Sequence, residues 1–587
     1  MARPRKRVNE DTWIIVATLT ELREARVKVV AGHDRRIAVF ADGDAVYAVE
    51  NNCPHMGFPL DRGAVADGIL TCHWHQARFD LRSGCTFDLW ADDVLRYATR
   101  IDEGVVRVAA TPSTVLNSDY HRARLRRGIE LNVRLVQAKS LLALLEAGAP
   151  LAAIAGEVVS YACNNLNGFA EGLTRLGCII NLYPDLRRDT AYQGLYYAVR
   201  RIAEETNESL PRRPRQPLGG GAAHDLATLL PWLRQWVQTR HRDGAERTVL
   251  TGIENLDAAD LATLVFTGAA ERMYANGGHL FEDANKAFEL LALLGDDSAR
   301  AVFPLLIPGM TGARGQEEST NWHHPVEIVA PLRALEEELP RLLDRPRDAA
   351  WLGGPEFVPT LLGDDPLAII AVLTDALGAG APPRRLAQLV SYAAALRLAR
   401  FATSNEVTDW FAPQHTFIYS NGVYQALGRT QAHAVVKAAF HGAISVYMDR
   451  YLNVPPARLP GERGTLDGLP TDGRALCRQL LDELDQRSNI EAAAALVARY
   501  LRLDHPLPAL IDTLTQATVR EDLDFHSLQV LDAGVNQSRA WGPGPEREHI
   551  LIGVVRNLAA HCPTRRAGAQ TATIAARLHR GERIYEA

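Results

Sequence analysis

Cys53-Pro-His55-Met-Gly-Phe-Pro-Leu60 and then Cys72-His-Trp-His75 read as Cys-x-His, sixteen intervening residues, and Cys-x-x-His. Two thiols and two imidazoles in paired short motifs are the donors of a metal site, and zinc accepts such a Cys2His2 set tetrahedrally. The sequence on either side predicts strands. Trp13-Ile-Ile-Val-Ala, Val27-Lys-Val-Val, Ile37-Ala-Val-Phe and Val46-Tyr-Ala-Val are short apolar and alternating runs, separated by Gly32 and by Asp42-Gly43-Asp44. This is the pattern of antiparallel strands joined by tight turns. Asp102-Glu-Gly104 feeds a last strand, and Thr111-Pro112 marks the end of an all-β domain over 1–112.

Each motif offers one cysteine and one histidine. A two-iron, two-sulfide cluster of the Rieske kind needs that split, with both cysteines on one iron and both histidines on the other. Residues 10–110 resemble the Rieske ferredoxin family. The resemblance rests on Ala48-Val-Glu-Asn-Asn-Cys53-Pro-His55, Leu60-Asp-Arg-Gly63, Gly68-Ile-Leu-Thr-Cys72-His-Trp-His75 and Arg78-Phe-Asp-Leu-Arg-Ser-Gly84. It implies a [2Fe–2S] cluster on Cys53, His55, Cys72 and His75; a zinc ribbon is the alternative. Family members of respiratory complexes carry an additional disulfide-forming cysteine in each loop. Phe58 and Trp74 stand at those positions, so the resemblance is to the disulfide-free oxygenase and soluble-ferredoxin kind. The family usually has glycine after the last ligand; this chain has Gln76-Ala77, which bears on the loop and on the exposure of His75.

At 587 residues the chain is too long for one core. Its net charge of -6 and 23% charged residues are ordinary for a globular protein and suggest no nucleic acid. The basic start, Met1 to Val8, has no apolar stretch after it and is not read as a secretory signal. The most apolar run, Leu141 to Ala155, is broken by Glu146, Gly148 and Pro150 and is too short to span a bilayer. Beyond Cys53 and Cys72, the cysteines Cys85, Cys163, Cys178, Cys477 and Cys562 are scattered and odd in number, which points to a reducing cytoplasm.

After Pro112 the period changes. Leu135, Ala138, Leu142 and Leu145 have helical spacing, and Leu, Ala, Arg and Glu dominate to the end. The expected architecture is therefore multidomain: the all-β domain, then a large, mainly α-helical region with internal repeats. Its parts are a helical segment 113–206, a repeat 225–340 containing His279, a repeat 365–455 containing His415, and a C-terminal helical segment 474–587. Linkers or long loops fall at 207–221, about 340–365 and 452–473, where Pro and Gly concentrate. The repeat shows as His279-x-Phe281-x3-Asn285, His415-x-Phe417-x3-Asn421 and the looser His526-x-Leu528-x3-Asp532.

The Rieske resemblance accounts for electron storage only. Rieske oxygenases hold a mononuclear iron on two histidines about five residues apart and a distant carboxylate, in a large antiparallel sheet. This chain has no such pair, and its second region reads helical. Candidate catalytic residues are His279, His324, His415 and His526, with a possible second iron. His323 and Glu327, Glu282, Asp522, Glu546 with His549, and His433 with His441 are further polar pairs within helical reach. Asp524-Phe-His526-Ser-Leu-Gln-Val-Leu and Gln414-His-Thr-Phe-Ile resemble segments of the questin-oxidase-like family. That resemblance implies oxidative ring cleavage of a small aromatic or polyketide-like substrate. No dinucleotide fingerprint or phosphate loop is present, so electrons are expected from a separate reductase. Two readings follow: a cluster feeding an oxidation site in the helical region, or an electron-transfer or redox-sensing protein whose helical region is a docking scaffold.

Overall fold

A computed structural model describes residues 13–114, 116–219, 223–354, 356–487, 489–582 and 584–586. The basic start and residues 220 and 221 of the first expected linker lie outside the described residues. Two compact units form, residues 1–154 with 570–587, and 155–569.

In the first unit the four expected strands become β1 (Trp13–Thr18), β2 (Val27–Ala31), β3 (Arg36–Asp42) and β4 (Ala45–Glu50). Then come β5 (Ala64–Ala66), β6 (Ile69–Thr71), β7 (Arg78–Asp80), β8 (Arg96–Asp102) and β9 (Val105–Pro112). A six-stranded antiparallel sheet has the order β1-β9-β8-β4-β3-β2, and β5-β6-β7 form a second. Successive side chains of a strand point to opposite faces. Ile37 and Val39 accordingly enter a core with Ala48, Val106 and Val108, whereas Ala38 and Phe40 enter another with Val49, Leu70, Cys53 and Cys72. Both cysteines are thus anchored in the apolar layer under the ligand loops. A short helix α1 (Leu19–Ala25) follows β1; its signal, Thr18-x-x-Glu21, closes a reciprocal capping box.

The first unit continues past Pro112. Helices α2 (Ser118–Glu130) and α3 (Arg134–Glu146) belong to it, as do the last residues of the chain. The buried face of α3 carries Val136, Gln137, Ala138, Ser140, Leu141 and Leu144, turned from the expected stripe, so that Leu135, Leu142 and Leu145 stay half-buried. Leu142 and Ala143 line a cavity of about 630 Å3 with Pro54, Asp92, Tyr120 and Lys139, which explains why that side is not fully packed.

From Ser118 onward the described residues form about 23 helices. Among them none is long and apolar enough to cross a membrane. The expected loop at 340–365 is shorter than its Pro/Gly content suggests. One helix, Val329–Leu343, accommodates Pro340 in its last turn, and a short helix, Phe357–Leu361, interrupts the loop.

Candidate metal centres

Both ligand loops of the first unit close in the same way. The Cys53 N–H donates to the Phe58 carbonyl and the Gly57 N–H to the Cys53 carbonyl, each at 2.8 Å. In the second loop the Cys72 N–H donates to Ala77 (2.8 Å) and the Gln76 N–H to Cys72 (3.0 Å). The turn needs a left-handed residue before its last position: Gly57 has φ 81° and Gln76 has φ 63°. The usual glycine is therefore replaced without loss of the turn, at a conformational cost of about 1 kcal/mol. His75 remains exposed. The two thiols share a hydrogen bond that lowers Cys72 to about 6 and raises Cys53. The imidazoles of His55 and His75 meet edge to face at 4.8 Å. Burial, then His75, pushes His55 down to about 4, which leaves it neutral and able to ligate. Cysteines pair with cysteines and imidazoles with imidazoles, the arrangement a [2Fe–2S] cluster requires of these four donors. Phe58 and Trp74, at the positions where the respiratory kind has its disulfide, pack instead with each other (5.9 Å) and with Tyr585 (5.5 and 6.1 Å).

A second centre lies in unit 155–569, where His279, His415 and His526 place three ligand atoms within 4.8 Å of one another. The His415 and His526 Nε2 atoms are 2.8 Å apart, and those of His526 and His279 3.5 Å apart. Metal-bound histidines usually have the other ring nitrogen held by an oxygen acceptor. His279 Nδ1 lies 3.6 Å from Glu282 Oε2 and His526 Nδ1 lies 3.2 Å from Asp524 Oδ1. The His415 ring bonds the Phe411 backbone. Burial, then the two neighbouring imidazoles, drives His415 down to about 3. Burial works against a charged His279, but the Glu282 contact prevails and raises it. In Asp524, burial is outweighed by the His526 interactions and the carboxyl is lowered.

Three helix starts build this centre. His279 opens the helix His279–Leu294 after a run of left-handed backbone at Tyr274, Asn276, Gly277 and Gly278. Gly278 is required twice over: φ is 94°, and a Cβ there would meet the Tyr419 ring at 2.9 Å. Tyr419 is one turn beyond His415 on the helix Phe411–Ala426, so this close approach seats the two helices together. Asp524 caps the helix Phe525–Trp541 by accepting the His526 N–H at 3.0 Å, placing His526 in its first turn.

Comparison with known proteins bears on the first centre. Residues 12–93 match the family model of the Rieske [2Fe–2S] domain. The anthranilate 1,2-dioxygenase ferredoxin subunit of Burkholderia cepacia is 31% identical over 97 residues, 16% of this chain and 90% of that one. The chain belongs to the Rieske [2Fe–2S] family. Its Rieske domain is also 37% identical over 75 residues to the 4beta-methylsterol monooxygenase of Methylococcus capsulatus, across 13% of this chain. The chain spans only 20% of the length of that monooxygenase. A solved structure, the ferredoxin of carbazole 1,9a-dioxygenase from Nocardioides aromaticivorans IC177, is 31% identical, with 17% of this chain and 98% of that chain covered and a TM-score of 0.16. The Rieske domain accordingly serves iron–sulfur electron transfer and implies a [2Fe–2S] cluster, for which Cys53, His55, Cys72 and His75 are the candidate ligands.

The remaining candidates separate. His324 is exposed and stands outside the three-histidine group, and His323 pairs with Glu327 at 2.7 Å near the surface. Asp522 accepts the Ala567 and Gly568 N–H groups at 2.7 and 2.8 Å, so the carboxylates at the imidazoles are Glu282 and Asp524 instead. His549 bonds the Tyr392 hydroxyl at 2.7 Å. His441 is buried beside Trp322, and burial holds it neutral. Sequence reasoning named Glu282 and the i+6 residues Asn285, Asn421 and Asp532 but missed that they assemble into one layer below the imidazoles. Glu282, Ile418 and Gln529, three residues after each histidine, and Asn285, Asn421 and Asp532, six after, surround a cavity of about 10 Å3. Lys286 lies there, bonded to Asp532 and, at 2.7 Å, to Glu289. The shared i+6 polar residue was the available signal for this layer.

Proposed function

We propose that this chain is an oxidoreductase in which the Rieske cluster supplies electrons, one at a time, to an iron held by His279, His415 and His526. The observation that carries the reading is the approach of three imidazoles to within 4.8 Å, with Glu282 and Asp524 behind two of them. Three imidazoles suit iron and leave coordination positions open, through which a bound iron would activate dioxygen or substrate. The protein's own part is to hold His415 neutral by burial and to set Glu282 and Asp524 behind the Nδ1 atoms of His279 and His526. Phe525 and Phe411 pack on His526 at 4.1 and 5.5 Å and give the centre an aromatic wall, consistent with a small aromatic substrate. The relatives named above include a monooxygenase and a ferredoxin subunit of a dioxygenase, which supports an oxygenase setting with a separate reductase as electron donor.

The test is metal stoichiometry on the full chain, purified without oxygen. The expected result is about three irons and two acid-labile sulfides, two of the irons in the cluster. Replacing His279, His415 or His526 by Ala should reduce iron to about two and leave the cluster spectrum intact. Two irons in the wild type, with no further metal taken up on titration, would leave the docking-scaffold reading in its place.

A further inference from the structure

The helical hairpin α2–α3 reaches back to the cluster loops through one cation. Lys139, on α3, donates from Nζ to the carbonyl of Pro54, the residue between the ligands Cys53 and His55. The same ammonium lies 2.5 Å from Asp92 Oδ2. Asp92 also receives Arg124 Nε, from α2, at 3.1 Å. Arg124 Nη2 bonds the carbonyls of Leu89 (3.3 Å) and Ala91 (2.8 Å), which flank Trp90. The Trp90 ring rests on His55 at 4.6 Å. Within this trio two cations meet one anion, and Lys139 also acts on Glu50 of the same cavity. The Lys139, Arg124 and Asp92 side chains are 21%, 13% and 15% exposed, so salt and water screen these charges only in part.

We propose that Lys139, fixed by Asp92, is a positioning residue that sets the reduction potential of the Rieske cluster, making α2–α3 a working part of the electron-transfer unit. Reduction adds one electron to the oxidised cluster, taken from a one-electron donor such as a reduced flavoprotein; no bond breaks and no proton is needed. The added negative charge is stabilised by a nearby positive charge, which raises the potential. Removing the Lys139 charge therefore lowers the potential, and removing the Asp92 charge raises it. Simple loosening of the hairpin would act alike in both variants, because both lose the same contact. The opposed signs thus separate charge from architecture.

The experiment is a spectroelectrochemical titration of the cluster in the full chain, for wild type, K139M, K139R and D92N, with the EPR signal of the reduced cluster as a second readout. At a fixed applied potential, K139M should lower the ratio of reduced to oxidised cluster by about tenfold, equivalent to about 59 mV for one electron. K139R keeps the charge and should stay within about threefold of wild type. D92N should move the ratio upward. Shifts of the same sign in K139M and D92N, or an unchanged K139M, would overturn the proposal. If K139M fails to retain its cluster, D92N decides: an upward shift supports the proposal, and a downward or null shift overturns it.

Discussion

Glu282 offers the sharpest perturbation of the three-histidine centre. Its carboxylate is buried, neither oxygen has a hydrogen-bond partner, and its nearest charge partner is His279 at 3.6 Å. A buried carboxylate with one long contact is costly in the metal-free protein, and neutralising it relieves that cost. The same carboxylate orients the His279 ring when Nε2 binds metal, and losing such a partner costs about 10- to 100-fold in metal affinity. Glu282→Gln should therefore stabilise the metal-free chain while weakening its metal binding by about 1.4–2.7 kcal/mol. The pH dependence carries its own sign. Glu282 raises His279 above its ordinary 6.5. A charged His279 stabilises the metal-free fold fully below 6.5, and this is lost as pH rises through the raised value. Metal must displace that proton, so affinity falls as pH drops through the same window, and Glu282→Gln should shift the fall to lower pH. The assay is iron(II) or cobalt(II) titration against a competing chelator from pH 5.5 to 8.5, with thermal melts of the metal-free protein. Unchanged affinity, or weaker affinity with an unmoved pH profile, would refute the assignment of Glu282 to His279.

Other outcomes follow from the same geometry. Replacing His55 or His75 by Ala should abolish the cluster's optical and EPR spectra without removing metal from the three-histidine centre, which metal analysis of the variant checks. Gln76→Gly relieves a left-handed φ of 63° and should stabilise the Rieske domain by about 1 kcal/mol, read as a rise in its melting temperature. Asp532→Leu strips a partner from the buried Lys286 ammonium and should destabilise the chain by about 3–5 kcal/mol in denaturant unfolding, whereas a substitution at exposed His324 should cost less than about 0.5 kcal/mol.

The candidate cluster site was legible because its information is local. Cys53 with His55 and Cys72 with His75 sit within single turns, and the larger sheet of the same domain is written in alternation and in the turns Asp42-Gly43-Asp44 and Glu103-Gly104. The missing glycine pointed to an altered loop, whereas the structure keeps the turn, with Gln76 as its left-handed residue. The extent of the unit was less legible. Pro112 ends a strand, yet α2 and α3 continue the first unit through Lys139, Arg124 and Tyr120, whose hydroxyl takes the Asp93 N–H at 3.0 Å.

The sequence by itself determined that an all-β Rieske domain precedes a helical region, and that three helices carry a histidine near their start and a polar residue six positions on. Only the tertiary structure decided that His279, His415 and His526 meet, although 247 residues separate the first from the last. It also excluded His324 from the group and selected Asp524 over Asp522. Local periodicity specifies which side of a helix is polar, but convergence depends on how separate helices cross and how closely their backbones approach. Here that approach passes through Gly278 against Tyr419, a contact that exists only once both helices are packed.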